Sequence, residues 1–83
     1  LIGLAHSLAA TLAPHGITVN AIAPGLIMTD MLAGDPRLET LERSVPVGRL
    51  GQPAEVADVI VAVARNAYMT GQTVSVDGGR YPR

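Results

Sequence analysis

The pair Pro24-Gly25, with Thr29 four residues after the glycine, is the part of this sequence best suited to hold a ligand. A β-branched run containing Ile17, Thr18, Val19 and Ile22 leads straight into it. In an open parallel sheet, ligands bind beyond the carboxyl ends of the strands. A Pro-Gly turn there presents backbone N–H and C=O groups with little side-chain bulk, because Gly25 has no Cβ. Such groups can hold a planar carboxamide, and the Thr29 hydroxyl can donate to an amide or phosphate oxygen. Taken alone, Pro-Gly is a generic turn signal, and a plain strand-ending turn is its leading reading.

Other chemistry-bearing residues point to structure. His6 falls on a predicted helix and His15 in a turn, and neither has a partner at metal-ligand spacing, so no metal site is expected. There is no Cys, which removes disulfides and thiolate ligands. Ser7, Ser44 and Ser75 lack a nucleophile elbow. Asp30, Asp35, Glu39 and Glu42 read as a solvated face. Arg49 is expected to cap a helix end or to pair with Glu55 or Asp58.

The elements that must position the turn follow from periodicity. Residues 1–13 are helical, with Leu1, Leu4, Ala5, Leu8 and Leu12 on one stripe and Ala9, Ala10 and Ala13 widening it. Pro14-His15-Gly16 ends this helix. Residues 17–23 read as a strand, apolar on both faces as in a parallel sheet covered on both sides. Asp35 is the expected N-cap, and Pro36 the first position, of a short helix continuing over residues 37–44, with Glu39 and Arg43 spaced as an i,i+4 pair. Residues 45–51 read as a loop. Pro53 opens a second long helix whose buried stripe is Val56, Val59, Ile60 and Val63, and residues 73–77 form a second strand ended by Gly78-Gly79. A strand–helix–strand unit implies parallel pairing with a right-handed crossover. Residues 80–83 read as a tail.

Eighty-three residues make one small domain at most. A chain this short buries only about 60% of its unfolded surface, so an isolated core is marginal and a partner or further chain is expected. The net charge of −1, 16% charged and 48% apolar residues are globular values. The six basic residues, all Arg, are scattered, and Phe and Trp are absent, which argues against a nucleic-acid surface. No apolar run reaches the ~20 residues that span a bilayer. No signal peptide is read at the start, and cytoplasm is the default location.

Four motifs occur in order: Val19-Asn20-Ala21-Ile22-Ala23-Pro24-Gly25; Thr29-Asp30-Met31; Gly48-Arg49-Leu50-Gly51-Gln52-Pro53 with Glu55-Val56-Ala57; and Thr70-Gly71-Gln72-Thr73 with Val76-Asp77-Gly78-Gly79. Each is weak, but their joint order and spacing are specific. Together they resemble the C-terminal segment of the short-chain dehydrogenase/reductase family, nearest to 3-oxoacyl-[acyl-carrier-protein] reductases, and the likeness covers nearly the whole chain. It implies an α/β fold, the C-terminal part of a Rossmann-type doubly wound parallel sheet, and one partial domain over residues 1–83. It implies that Pro24 and Gly25 line the nicotinamide side of an NAD or NADP cleft. By the same resemblance Ile27 holds the carboxamide through its backbone and Thr29 bonds the carboxamide or pyrophosphate. Met28, Met31 and Leu32 would begin a substrate lid within residues 26–50. A small carbonyl or alcohol substrate and a tetrameric homo-oligomer are also implied.

The family's catalytic Tyr needs a Lys four residues later, whose charge lowers the Tyr pKa. This chain has no Lys. Tyr68 and Tyr81 lack that context, and the family's Ser and Gly-rich phosphate loop are not found either. Gly48-Arg49-Leu50-Gly51 and Gly78-Gly79 do not have the loop's spacing. The first helix also begins without a capping residue. The expectation is therefore a fragment of a ketone/secondary-alcohol oxidoreductase, inactive by itself and with no catalytic residue of its own. The alternative is a stand-alone, non-catalytic oligomerisation or interaction module.

Overall fold

The computed structural model describes residues 2–80. Leu1, expected at the head of the first stripe, and the tail residues 81–83 lie outside the described residues. The elements run α1 (Ile2–Leu12), β1 (Ala21–Pro24), α2 (Leu38–Arg43), α3 (Pro53–Arg65) and β2 (Thr73–Val76). A 3-10 turn, Ala13–His15, ends α1, and Gly16 follows it at φ 74°, a left-handed conformation that costs glycine little. The fold is α/β, and the helix–strand–helix–helix–strand order matches the expectation.

The two strands pair in parallel, with Ala21 opposite Thr73 and Pro24 opposite Val76. The first strand is shorter than the predicted 17–23. Upstream of Ala21 the regular ladder is interrupted where Gly71 turns left-handed at φ 71°. One backbone bond remains there, from the Gly71 N–H to Val19 O at 2.8 Å, and side chains supply the rest. The Val19 N–H donates to Thr70 Oγ1 at 3.0 Å, the Asn20 side chain donates to Met69 O at 3.0 Å, and Asn20 Oδ1 accepts the Gln72 N–H at 3.1 Å. Ile17 is left exposed.

The short helix also starts later than predicted. Asp35 Oδ1 accepts the Arg37 N–H at 2.8 Å and Asp35 O accepts the Leu38 N–H at 3.0 Å, so a turn precedes Leu38. The expected Glu39–Arg43 pair forms at 2.8 Å. The Arg37 guanidinium bonded to Asp35 holds that carboxyl below its ordinary range.

Burial departs most from the periodicity. Leu4 and Leu8 are exposed, as are Ile60 and Val61 on α3, so neither predicted stripe is covered as a whole. The reason is width: one two-stranded sheet cannot cover two long helices. Of the small residues expected to widen the α1 stripe, Ala9 is buried, against Gly71, while Ala10 and Ala13 are exposed. Ala9, Val45 and Leu50 are the fully buried apolar residues among those described, and two of them lie in the segment read as a loop. The accessible surface is 5872 Å², against roughly 4700 Å² for a compact monomer of this mass. The radius of gyration is 15.3 Å, against about 12 Å for a compact chain of this length. Large apolar faces are thus open to a further layer. No helix among the described residues is long and apolar enough to cross a membrane.

Candidate functional site

The carboxyl ends of β1 and β2 meet at Gly25 and Asp77. The Gly25 N–H donates to Val76 O at 2.9 Å. A Cβ on Gly25 would stand 2.7 Å from both Cα and Cβ of Asp77, well inside the ~3.5–4.0 Å of a relaxed carbon contact. The glycine is therefore required by Asp77 at the end of the neighbouring strand, whatever binds outside it. Sequence reasoning assigned it to the approach of a ligand and missed this second cause, because Asp77 is distant in sequence.

Past the turn, residues 26–28 run beside Gly51 as a single parallel bridge centred on Ile27. The Gly51 N–H donates to Leu26 O at 3.0 Å, and the Met28 N–H donates to Gly51 O at 2.8 Å. In a trans peptide the N–H and C=O point in opposite directions. With Leu26 O and the Met28 N–H turned toward Gly51, the Ile27 N–H and C=O must face away from it. Among the described residues neither has a hydrogen-bond partner. A donor and an acceptor thus stand side by side on one residue, which is the complement of a planar carboxamide.

The remaining candidates are arranged around this bridge. Pro24 is exposed. Thr29 is exposed, and its hydroxyl makes no hydrogen bond among the described residues, while its carbonyl accepts from the Leu32 and Ala33 N–H groups at 3.0 and 3.2 Å. Met28 and Leu32 are half-buried, and Met31 is 90% exposed. A cleft of about 180 Å³ is lined by Ile27, Val45, Arg49, Glu55, Val56 and Asp77, among others. Of the site candidates, Ile27 alone lines it; Pro24, Gly25, Thr29 and the three lid positions Met28, Met31 and Leu32 lie outside.

The segment 45–51 closes against the second strand end. The Val47 N–H donates to Gly78 O at 3.2 Å, and a Cβ on Gly78 would meet Val45 Cγ1 at 2.6 Å. Gly78 is also left-handed, at φ 63°, so the glycine is doubly required. Its neighbour Gly79 donates its N–H to Asp77 Oδ1 at 2.9 Å.

Arg49 pairs with Glu55, at 2.7 Å to Oε1 and 2.9 Å to Oε2, and not with Asp58. Glu55 Oε1 also accepts the Gln52 N–H at 2.9 Å at the start of α3. The Arg49 guanidinium, and after it the Gln52 N–H, pull the Glu55 pKa down to about 2. The same carboxylate raises the pKa of Arg49. Among the described residues no group of acids and histidines could hold a metal ion.

Known proteins resemble this chain over nearly its whole length. A family model described as enoyl-(acyl carrier protein) reductase matches residues 1–80. The short-chain reductase protein NovJ of Streptomyces niveus is 48% identical over 89 residues, covering 94% of this chain and 34% of that protein. The 3-oxoacyl-[acyl-carrier-protein] reductase FabG of Vibrio harveyi is 48% identical over 86 residues, covering 98% of this chain and 35% of that protein. The crystal structure of YwfH, an NADPH-dependent reductase involved in bacilysin biosynthesis, superposes with a TM-score of 0.89 at 32% identity, over 100% of this chain and 37% of that one. The chain spans about a third of the length of the relatives it matches.

Proposed function

The chain belongs to the short-chain dehydrogenase/reductase family, and on that premise we propose that it is the nicotinamide-side segment of a cytoplasmic NAD(P)(H)-dependent oxidoreductase that interconverts a ketone and a secondary alcohol. Its two parallel strands are part of a Rossmann-type sheet. A 3-oxoacyl thioester is the proposed substrate class, following the names of its relatives.

The observation that carries this reading is the pair of free peptide groups on Ile27 at the end of β1. When bound, the cofactor supplies or accepts the hydride. The Ile27 N–H donates to the carboxamide oxygen, and Ile27 C=O accepts from its amide. The Thr29 hydroxyl, without a partner among the described residues, donates to the carboxamide or a phosphate oxygen. Met28, Met31 and Leu32 begin a lid over residues 26–50 that keeps water from the reacting atoms. The exposed Met31 is the part of the lid free to fold over a flexible acyl chain. No residue here is proposed to move the proton, since this chain has no Lys to hold a catalytic Tyr ionised. The exposed leucines of α1 and the Ile60–Val61 face of α3 are proposed to be covered by the remainder of the enzyme and by subunits of a homotetramer.

The test is to assay the natural protein carrying this segment with NADPH and NADH against a 3-oxoacyl thioester, beside the 83-residue chain alone. Turnover is expected from the first and none from the second. A natural protein that forms a folded oligomer yet binds neither nucleotide would replace this reading with a non-catalytic interaction module.

A further inference from the structure

The Arg49–Glu55 pair makes more bonds than an ion pair requires. Its side chains are 54% and 44% exposed, and such pairs contribute little to stability. Yet Arg49 Nη1 also donates to Leu50 O at 3.1 Å, and Glu55 Oε1 also accepts the Gln52 N–H at 2.9 Å. Those two groups belong to the peptides on either side of Gly51. The opposite ends of the same two peptides, the Gly51 N–H and Gly51 C=O, bond to Leu26 O and the Met28 N–H. Each peptide is thus held at both ends, by the ion pair on one side and by the residues flanking Ile27 on the other. Peptide planarity transmits the orientation of one end to the other. The contact is also direct, since a Cβ on Gly51 would lie 3.0 Å from Ile27 Cδ1.

We infer that Arg49 and Glu55 are positioning residues that aim the free N–H and C=O of Ile27, an inference that rests on the reading of Ile27 given above. In this role they act through the two Gly51 peptides. Without the pair, the Leu50–Gly51 and Gly51–Gln52 peptides each lose one anchor and can rotate. The Leu26–Met28 segment then loses its template, and hydrogen bonds from Ile27 weaken steeply with misalignment. The position of a reacting ring depends on such alignment, so a small rotation is felt in turnover as well as in affinity.

The experiment measures, in the natural protein, the affinities for NADPH and NADH and for ADP-ribose with and without the 2′-phosphate, which lack the nicotinamide. Arg49→Ala and Glu55→Ala are expected to weaken NADPH and NADH about tenfold, near the net worth of one hydrogen bond. Binding of the nicotinamide-free analogues should stay within about twofold, which also reports that the variants remain folded. Glu55→Gln keeps an acceptor for both the Gln52 N–H and Arg49, and should retain most of the affinity. An equal loss for both ligand classes would make the pair merely structural, and unchanged affinities throughout would remove it from the site; either overturns the inference. If the unmutated protein binds the nicotinamide ligands no better than their analogues, the Ile27 reading itself fails and the inference with it. The unmutated protein therefore tests one and the variants the other.

Discussion

Gly25→Ala separates two causes for one glycine. The added methyl would sit 2.7 Å from Cα and Cβ of Asp77, so about 1 Å of relief is needed. The obstacle includes backbone, which cannot rotate aside as a side-chain tip can. Moving Asp77 away also pulls on the Gly25 N–H bond to Val76 O and on the Gly79 N–H bond to Asp77 Oδ1. Overpacking costs roughly 1–3 kcal/mol and a weakened hydrogen bond about 1 kcal/mol more, so a loss of about 2–4 kcal/mol is expected. In an enzyme domain of 150–250 residues that lowers Tm by roughly 5–15 °C. The assay is thermal unfolding of the natural protein without any nucleotide. A Tm within about 1 °C of the parent, together with a large loss of cofactor affinity, would refute the reasoning. The glycine would then be there for the ligand and not for Asp77.

Thr29→Ala removes a hydroxyl with no partner among the described residues, so stability should stay within about 0.5 kcal/mol while the cofactor KM rises about tenfold in steady-state kinetics. Glu55 has a folded pKa of about 2, below its ordinary 4.5. The unfolded carboxyl therefore binds a proton first as pH falls, so the contribution of the pair is complete above about pH 4.5 and is lost between there and about pH 2. Chemical denaturation across that window should show a slope that Glu55→Gln flattens and that 1 M salt weakens, because both partners are exposed. Gly78→Ala must place an L-residue at φ 63° and a methyl 2.6 Å from Val45 Cγ1, and should cost about 2–4 kcal/mol. Adding Val45→Ala should recover the steric part but not the backbone part, a coupling that a double-mutant cycle in urea measures.

Much of this chain was legible because its signals are local. The α3 helix begins at Pro53 as expected, since proline at the first position and Glu55 in the first turn need no distant partner. The Glu39–Arg43 pair was readable from its spacing, whereas for Arg49 the sequence left a helix-end cap, Glu55 and Asp58 open and the fold selected Glu55. The end of β1 at Pro24 follows from the turn chemistry of Pro24-Gly25, and the motifs around it named the family.

Tertiary structure decided what depends on residues far apart in the chain. The start of β1 moved to Ala21 because Gly71, some fifty residues on, turns left-handed and the Thr70 side chain takes the Val19 N–H that a regular ladder would pair with backbone. Leu4, Leu8 and Ile60 stayed exposed because periodicity shows that a face is apolar but not whether anything covers it. Val45 and Leu50 became core because Gly78 and Gly51 leave room for the irregular segment to settle on the strand ends. The outward aim of the Ile27 peptide groups exists only once Gly51 lies beside them. Sequence by itself determined the element types, the helix start at Pro53 and the family, all matters of short-range sterics and recurring spacing. Register, burial and the direction of hydrogen-bonding groups required the fold, because each is a relation between segments that meet only in space.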